Sequence, residues 1–537
     1  MVIRLNGIVV SSSVKDNAGN ITAFSKRGLQ QICYAFCYFS TGSHRSHLSQ
    51  SFTQQGSRMD PYKMLIGGEH RAAFSQQTLD VISPVDGMVF TTIPRGQEQD
   101  VDQAVAAART AFNGQWKGFD ALSRGRLLLK LSRAILDHQE ELAQLESRDT
   151  GKPLSTARVD IKVLARYVEF YGTAADKVLG EVIPYLNDYA VQVIREPLGV
   201  TAHIIPWNYP AQIFGRSVAP ALAMGNATVI KPAEDASLSI LRIAGLALEV
   251  GFPAGVINVV TGLGEEAGAA LSAHPGINFL SFTGSGEVGV LVQQATALNA
   301  VKCVLELGGK SAHVVFDDAD TDRAAATIVK GIVHNAGQTC SAGSRVLLHE
   351  SIFDVFMDKL KHEFSATCVG TPEMDLISGP VINKKQFDRV RGYIERGREL
   401  GLTVAAQGKI AQGVPAGGYY VTPTLFVGDD HRCELMQEEI FGPVLVVVPF
   451  ADEADAIRLA NDTDYGLVGA VWTENGGRQL RMAKAIEAGQ VFVNGFGAGG
   501  GVELPFGGVK RSGHGREKGL VALEEMSTTK TIVIYHG

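Results

Sequence analysis

Beyond Val200 the apolar positions of the chain alternate between two periods. Short runs rich in β-branched and other apolar residues lie at 200–205, 228–231, 256–260 and 279–282. Between and after them, at 220–225, 237–250, 265–273 and 286–298, apolar residues recur three and four apart. The short runs read as strands buried on both faces and the longer stretches as helices, and that alternation builds a parallel sheet. After Gly308 the pattern resumes with strands at 312–316, 345–348, 444–448 and 490–493. Upstream, Met64-Leu65-Ile66 before a Gly-Gly turn predicts a short strand, and a strand pair follows around 81–92. Three helices come next. Val101, Val105, Ala108 and Phe112 stripe the first. Ser123 caps a long second one, with Leu127, Leu128, Leu131, Ile135, Leu142 and Leu145 inward, and the third spans 161–178. Residues 181–200 alternate in the manner of a hairpin around Asn187-Asp188, and 529–535 alternate again as a terminal strand. The fold class is therefore α/β, with two parallel-sheet α/β regions and a small β arm.

Composition narrows the class. The chain has 537 residues, 45% hydrophobic and 20% charged, with 60 glycines and a net charge of -7. These values describe a globular protein of several domains and argue against a nucleic-acid partner. No apolar run approaches the ~20 residues of a membrane helix. Six cysteines in so long a chain do not make a disulfide framework, and no Cys/His spacing reads as a metal site, which points to a reducing compartment. Residues 1–58 stand apart, with six Lys/Arg against one acid, Asp16, and ten serines. They read as a leader outside the fold: an upstream extension, or a transit peptide to the mitochondrial matrix, the alternative being a cytoplasmic protein.

In such sheets ligands bind beyond the carboxyl ends of the strands. After the first strand comes Pro206-Trp207-Asn208-Tyr209-Pro210, after the second Lys231-Pro232-Ala233-Glu234, and after the fourth Thr283-Gly284-Ser285-Gly286-Glu287-Val288-Gly289. Polar and glycine-rich loops at one edge suit a nucleotide. Gly284, Gly286 and Gly289 match G-x-G-x-x-G, with Glu306 about 20 residues on. That fingerprint belongs to the first βα turn of a unit, and here it follows the fourth strand. Lys231 and Glu234 make the better ribose clamp, and a carboxylate there favours NAD over NADP. Glu306, among apolar and glycine residues, is then free to act as a general base, or is a buried ion-paired glutamate. Cys340 has Gly, Gln, Thr and Ser for neighbours rather than an apolar run, which makes it the candidate nucleophile, an inert packing cysteine being the alternative.

Together these motifs resemble the NAD(P)-dependent aldehyde dehydrogenase superfamily, from about Tyr62 to Ile534. The carriers are P-W-N-Y-P at 206–210, K-P-A-E at 231–234, F-T-G-S at 282–285, L-E-L-G-G-K at 305–310, G-Q-T-C at 337–340, E-E-I-F-G-P at 438–443 and P-F-G-G-V-K at 505–510. The resemblance implies an NAD-binding domain (59–180 plus 201–308), a catalytic domain (309–515) and an oligomerisation arm (181–200 plus 516–537) in a homodimer or homotetramer. It implies oxidation of a small aldehyde to an acid through a thiohemiacetal and a thioester on Cys340. Asn208 and the Cys340 N–H would hold the oxyanion, and Glu306 would activate the hydrolytic water. It places Ile205, Pro206, Trp207, Lys231, Glu234, Gly264, Thr283, Gly284, Ser285, Val288, Leu307, Glu439 and Phe441 around NAD, and it requires no metal.

Two departures stand out. Some members carry, at the position of Ser217, a lysine that joins a proton path ending at a glutamate matching Glu517; here Arg216 lies beside that serine. Members acting on betaine aldehyde place aromatic rings just before the G-Q-x-C loop; here His334 and Asn335 stand there, with Trp207, Tyr209 and Phe496 left to line a pocket. A coenzyme-A-acylating dehydrogenase, a cysteine hydrolase and a noncatalytic scaffold are the competing readings. Glu306 argues against the first, the lack of a separate histidine motif against the second, and the joint presence of Cys340, Glu306 and Asn208 against the third.

Overall fold

The computed structural model describes residues 2–5, 8–11, 59–497 and 501–537. In the N-terminal unit, Val2–Leu5 pairs antiparallel with Ile8–Ser11. The remainder of the expected leader, and the middle of the glycine-rich stretch at 497–501, lie outside the described residues.

Five parallel strands form the centre of the first sheet: β1 (Val200–Ile205), β2 (Ala227–Pro232), β3 (Ile257–Val259), β4 (Phe279–Thr283) and β5 (Lys302–Glu306). Their order across the sheet is β5-β4-β1-β2-β3. Gly513–His514 runs antiparallel along β5, and the hairpin Met64–Ile66/Glu69–Arg71 runs antiparallel along β3. The chain leaves β1 toward β2 and β3, then returns to the other side of β1 for β4 and β5. That reversal opens a crevice at the carboxyl ends of β1 and β4. Helices Ala121–Asp137, Leu154–Ala174 and Leu238–Glu249 cover the face carrying Ile205, Phe279 and Val304. Helices Glu98–Asn113 and Gly286–Ala297 cover the face carrying Val200, Ala202 and Leu305. Burial on both faces explains why these strands are rich in apolar residues at successive positions, with the polar residues they carry, such as Thr201, His203 and Ser281, buried as well.

The second sheet is built from β6 (Ala312–Val315), β7 (Arg345–His349), β8 (Thr424–Val427), β9 (Val444–Phe450), β10 (Val468–Trp472) and β11 (Gln490–Val493). Its parallel order is β8-β9-β7-β6-β10-β11, with Thr403–Gln407 antiparallel at the β8 edge. β8 and β10 carry little strand signal in the sequence: β8 is short and follows Pro423, and β10 contains Gly469 and Ala470. A three-stranded arm joins Ser527–Tyr535 to Tyr189–Pro197 and that strand to Glu181–Ile183, all antiparallel. The arm leaves Val182, Tyr185, Leu186, Val533 and Tyr535 exposed.

Two helix expectations change. The second helix is capped by Asp120, whose carboxylate accepts the Ser123 N–H at 2.7 Å, so Ser123 is the capped residue and not the cap. It also divides at His138 into Ala121–Asp137 and Gln139–Thr150. The third helix begins at Leu154, directly after Pro153, and ends at Ala174. The helical run after β1 starts with Pro210 at its first position, where a missing N–H costs nothing. It widens into a π-helical turn at Phe214–Val218 before Ala219–Ala223. Such turns re-aim side chains and recur at functional sites.

Candidate active site

Cys340 follows a turn that the local sequence does not favour on its own. Helix Thr321–Val333 ends, and Asn335, Ala336 and Gly337 all take left-handed backbone conformations, with φ of 50°, 56° and 72°. Asn tolerates that region and Gly prefers it, but alanine pays about 1 kcal/mol or more. Hydrogen bonds hold the turn closed. Gln338 Nε2 donates to the Asn335 carbonyl at 3.1 Å, and its Oε1 accepts the Ile382 N–H at 2.9 Å. Gly337 meets Gly442 so closely that an added Cβ would lie 2.2 Å from the Gly442 carbonyl carbon. Gly309 lies under the Cys340 carbonyl, 2.8 Å from where a Cβ would sit.

Asn208, at the end of β1, is stitched to this turn. Its side-chain amide donates to the Gln338 carbonyl at 3.1 Å, while its own carbonyl accepts from Asn335 Nδ2 at 3.0 Å. The same carbonyl accepts from Lys152 Nζ at 3.1 Å. Lys152 is fully buried and paired with Asp160 at 2.6 Å and Glu146 at 3.4 Å. The amide has two hydrogens, so one can position Asn208 while the other remains available to a ligand. Tyr209 extends the seam, its hydroxyl 2.8 Å from Thr339 Oγ1 and its ring stacked on His334. Asn335, expected near the substrate, is instead buried framework. Nothing in the sequence around Lys152, Asp160 and Glu146 marks their role beyond charges lying among helical residues.

The other expected residues gather along the carboxyl edge of the first sheet. Lys231 Nζ and Glu234 Oε2 are 2.9 Å apart at the end of β2. Ser285 caps helix Gly286–Ala297 by accepting the Val288 N–H, leaving the first N–H groups of the helix outward. A Cβ added at Gly264 or Gly286 would meet nothing within 4 Å, so both face open space. Leu307 packs on Gly289 in the first turn of that helix. Trp207, beside Ile205 and Pro206, meets Phe441 edge-on at 5.3 Å between ring centroids. Glu439 Oε1 accepts the Gly309 N–H at 3.0 Å, and only a glycine at 308 leaves room for its other oxygen. Burial pushes the Glu439 carboxyl up to about 7, against the pull of that N–H. Outward helix N–H groups, an open glycine edge and a Lys/Glu pair at strand ends along one edge of the sheet suit a dinucleotide.

Glu306 ends β5, paired in register with Thr283. It is 2% exposed, and neither carboxylate oxygen hydrogen-bonds within the protein. Gly507 makes room for it: a Cβ there would sit 2.8 Å from Glu306 Oε1. Burial raises its pKa well above the usual carboxylate range, and Arg216 is the strongest opposing influence. Burial likewise pushes the Cys340 thiol up to about 11, with Arg216 again leading the opposition. Arg216, rather than Ser217, forms the ion pair with Glu517, while Ser217 Oγ donates to the Ile213 carbonyl inside its own helix. His313 Nδ1 accepts from Trp472 Nε1 at 3.3 Å and His334 stacks on Tyr209. Among the described residues no histidine hydrogen-bonds Cys340, which removes the support a cysteine hydrolase would need.

A doubly wound sheet with such a crevice defines the class of dinucleotide-binding α/β proteins. Within it the chain belongs to the aldehyde dehydrogenase family, whose sequence model matches residues 71–532. The NADP/NAD-dependent aldehyde dehydrogenase PuuC of Escherichia coli is 43% identical over 88% of this chain and 95% of its own. A crystal structure of a candidate aldehyde dehydrogenase from Burkholderia cenocepacia shares 53% identity, covering 88% of this chain and all of that one, with a TM-score of 0.87. The NAD+ complex of a Bacillus cereus aldehyde dehydrogenase shares 39% identity over 89% and 97% of the two chains, with a TM-score of 0.86. The protein is an oxidoreductase acting on aldehydes. Among the described residues no helix is long and apolar enough to cross a membrane, and no group of three or more His, Cys, Asp or Glu is placed to hold a metal ion.

Two outcomes follow from this geometry. Gly337→Ala is expected to abolish turnover, because the Cβ meets backbone that cannot yield; unchanged kinetics would show that the turn is not seated on Gly442. In the protein without ligands, alkylation of Cys340 by iodoacetamide, followed by peptide mass spectrometry, should keep rising with pH beyond 9. A plateau near pH 7 would show an already ionised thiol.

Proposed function

We propose that this enzyme oxidises an aldehyde to a carboxylic acid through covalent intermediates on Cys340. The observation that carries the reading is the joining of Asn208, at the end of β1, to the turn that presents Cys340, with Glu306 two strands away at the same crevice. The thiolate attacks the aldehyde carbon and the carbonyl electrons move onto oxygen, giving a thiohemiacetal. The free hydrogen of the Asn208 amide and the Cys340 N–H meet the developing oxyanion, where preorganised donors are worth most. Bound NAD supplies the acceptor for the hydride that leaves the same carbon. The oxyanion electrons then re-form the carbonyl, leaving a thioester. Glu306, as its carboxylate, takes a proton from water, the hydroxide attacks the thioester carbon, and the C–S bond breaks to release acid and thiolate.

Lys231 and Glu234 would hold the adenosine ribose, Gly264 the adenine side, and Thr283, Gly284, Ser285 and Val288 the pyrophosphate edge. Ile205, Pro206, Trp207, Leu307, Glu439 and Phe441 would frame the nicotinamide end. The Glu234 carboxylate repels a 2′-phosphate, so NAD is preferred to NADP. Residues 59–180 plus 201–308, which supply the parallel strands of the first sheet, serve as the NAD-binding domain and 309–515 as the catalytic domain. The arm (181–200 plus 516–537), with its exposed apolar side chains, makes a homodimer or homotetramer. The four described cysteines are free, in keeping with a cytoplasmic location, or a mitochondrial one if 1–58 is a transit peptide.

The test is NADH formation from NAD and a panel of aliphatic, aromatic and amino aldehydes; no NADH with any of them overturns the reading. Cys340→Ala is expected to abolish turnover while a calorimetric titration still shows NAD binding. Glu306→Gln should keep a stoichiometric NADH burst and lose steady-state turnover, since it slows deacylation more than hydride transfer. Glu234→Ser should improve kcat/KM for NADP relative to NAD by about tenfold, ~1.4 kcal/mol.

A further inference from the structure

Arg216 occupies a position that the aldehyde chemistry above does not use. The π-helical turn Phe214–Val218 aims it inward, onto the sheet face that carries Thr283 and Glu306, and it is 8% exposed. Its Nη2 donates to Thr283 Oγ1 at 3.1 Å, its Nε pairs with Glu517, and its guanidinium lies 5.1 Å from the centre of the Phe506 ring. Glu517 Oε1 accepts the Ser281 hydroxyl at 2.7 Å, two residues before Thr283 on β4. Thr283 and Glu306 are register partners, so their side chains share a face about 5 Å apart. Phe506 and Glu517 also exchange backbone hydrogen bonds, and the next residue, Gly507, presses on the Glu306 carboxylate. One cation and two carboxylates thus meet over the ends of β4 and β5, away from bulk water.

We infer that Arg216 is a positioning residue that holds Glu306 as a carboxylate able to act as base, a fixed cation with Glu517 as its counterweight rather than a link in a proton path. The inference rests on the reading of Glu306 as the deacylation base. A guanidinium does not release its proton, so it cannot pass one on as a lysine can. What it can do is offset the burial of a nearby anion. The charged groups around Glu306 set this balance, and Cys340 is coupled to it as well. Arg216 opposes the effect of burial, Glu517 adds to it, and Arg516 and Lys518 oppose it more weakly. Cys340 and Tyr167 also act on the guanidinium, and with Glu517 and Glu306 they outweigh its own burial and keep it charged. Lys518 is itself pushed down to about 8 by burial and by Arg216, so it adds less cation as pH rises.

The sign of each change follows. Removing the cation makes the Glu306 anion harder to form, so the acid limb of the deacylation-limited kcat profile moves to higher pH. Removing Glu517 leaves Arg216 unshared and moves it to lower pH. Arg216→Met, Arg216→Lys and Glu517→Gln are to be compared by steady-state kcat against pH, with NADH burst amplitude and thermal melting measured on each. Arg216→Met is expected to shift the limb up by about one pH unit, roughly tenfold in rate on that limb, with the burst retained. Arg216→Lys should restore part of that shift, and Glu517→Gln should shift the limb the opposite way. Equal loss of kcat at every pH, or limb shifts in the same direction for Arg216→Met and Glu517→Gln, would overturn the inference and leave a structural role. Should Arg216→Met fail to fold, the opposed shifts of Arg216→Lys and Glu517→Gln decide alone. If Glu306→Gln leaves both the steady-state rate and the acid limb untouched, the reading of Glu306 as base fails, an outcome separate from the others.

Discussion

The carbonyl and amide of Asn208 tie together two parts of the chain that have no covalent reason to meet. The residue lies in the loop just past β1, at the centre of the first sheet, and the turn it binds precedes β7 at the centre of the second. Three hydrogen bonds make the joint: Asn335 Nδ2 and Lys152 Nζ onto the Asn208 carbonyl, and the Asn208 amide onto the Gln338 carbonyl. Each neutral hydrogen bond contributes about 1 kcal/mol net, but an orphaned buried partner costs more. The charged member raises the stakes further. Lys152 is wholly enclosed, and removing one partner of such a buried cluster typically costs about 3–5 kcal/mol. Placement of the nucleophile therefore depends on a charge cluster that never touches the reacting atoms.

The turn itself stores strain that the joint offsets. Left-handed backbone at Asn335 and Ala336 is held by hydrogen bonds to Gln338 and by backbone contact between Gly337 and Gly442. Non-glycine residues in this region persist only where surrounding structure over-determines them, and they collect at functional sites. Glycines at 308, 309 and 507 serve another purpose: each leaves space for a group, respectively the Glu439 carboxylate, the Cys340 carbonyl and the Glu306 carboxylate. Side chains there would push the three apart.

Burial and charge work against each other across the crevice. Taking Glu306 and Cys340 out of water favours their protonated forms, yet the proposed chemistry uses both as anions. Glu517 compounds the difficulty for Glu306, and the permanently charged guanidinium paired with Glu517 opposes it. The wide helical turn at Phe214–Val218 is what brings that guanidinium inward. A regular α-helical spacing after Pro210 would carry residue 216 to a different azimuth by the end of the turn.

Four of the five parallel strands of the first sheet, β1 to β4, were legible as short runs rich in apolar residues, and the loops after them carry residues no core requires. Asn208 and the Lys231/Glu234 pair stood out by that logic, whereas Glu306 and Cys340 stood out by their immediate neighbours, apolar residues and glycines around the one and small polar residues around the other. β8 and β10 did not, since short strands with proline, glycine or alanine resemble loops until neighbours supply their pairing. Ser123 looked like a cap until Asp120 supplied the acceptor three residues before it. Asn335 showed only as a residue standing where other members carry an aromatic ring, because its hydrogen-bond partner Asn208 is far away in sequence. Arg216 could be seen only as a neighbour of Ser217. Local sequence reports period, caps and isolated reactive groups, since those depend on residues a few positions apart. Which buried charge opposes which depends on distances across the sheet, and only the folded chain sets them.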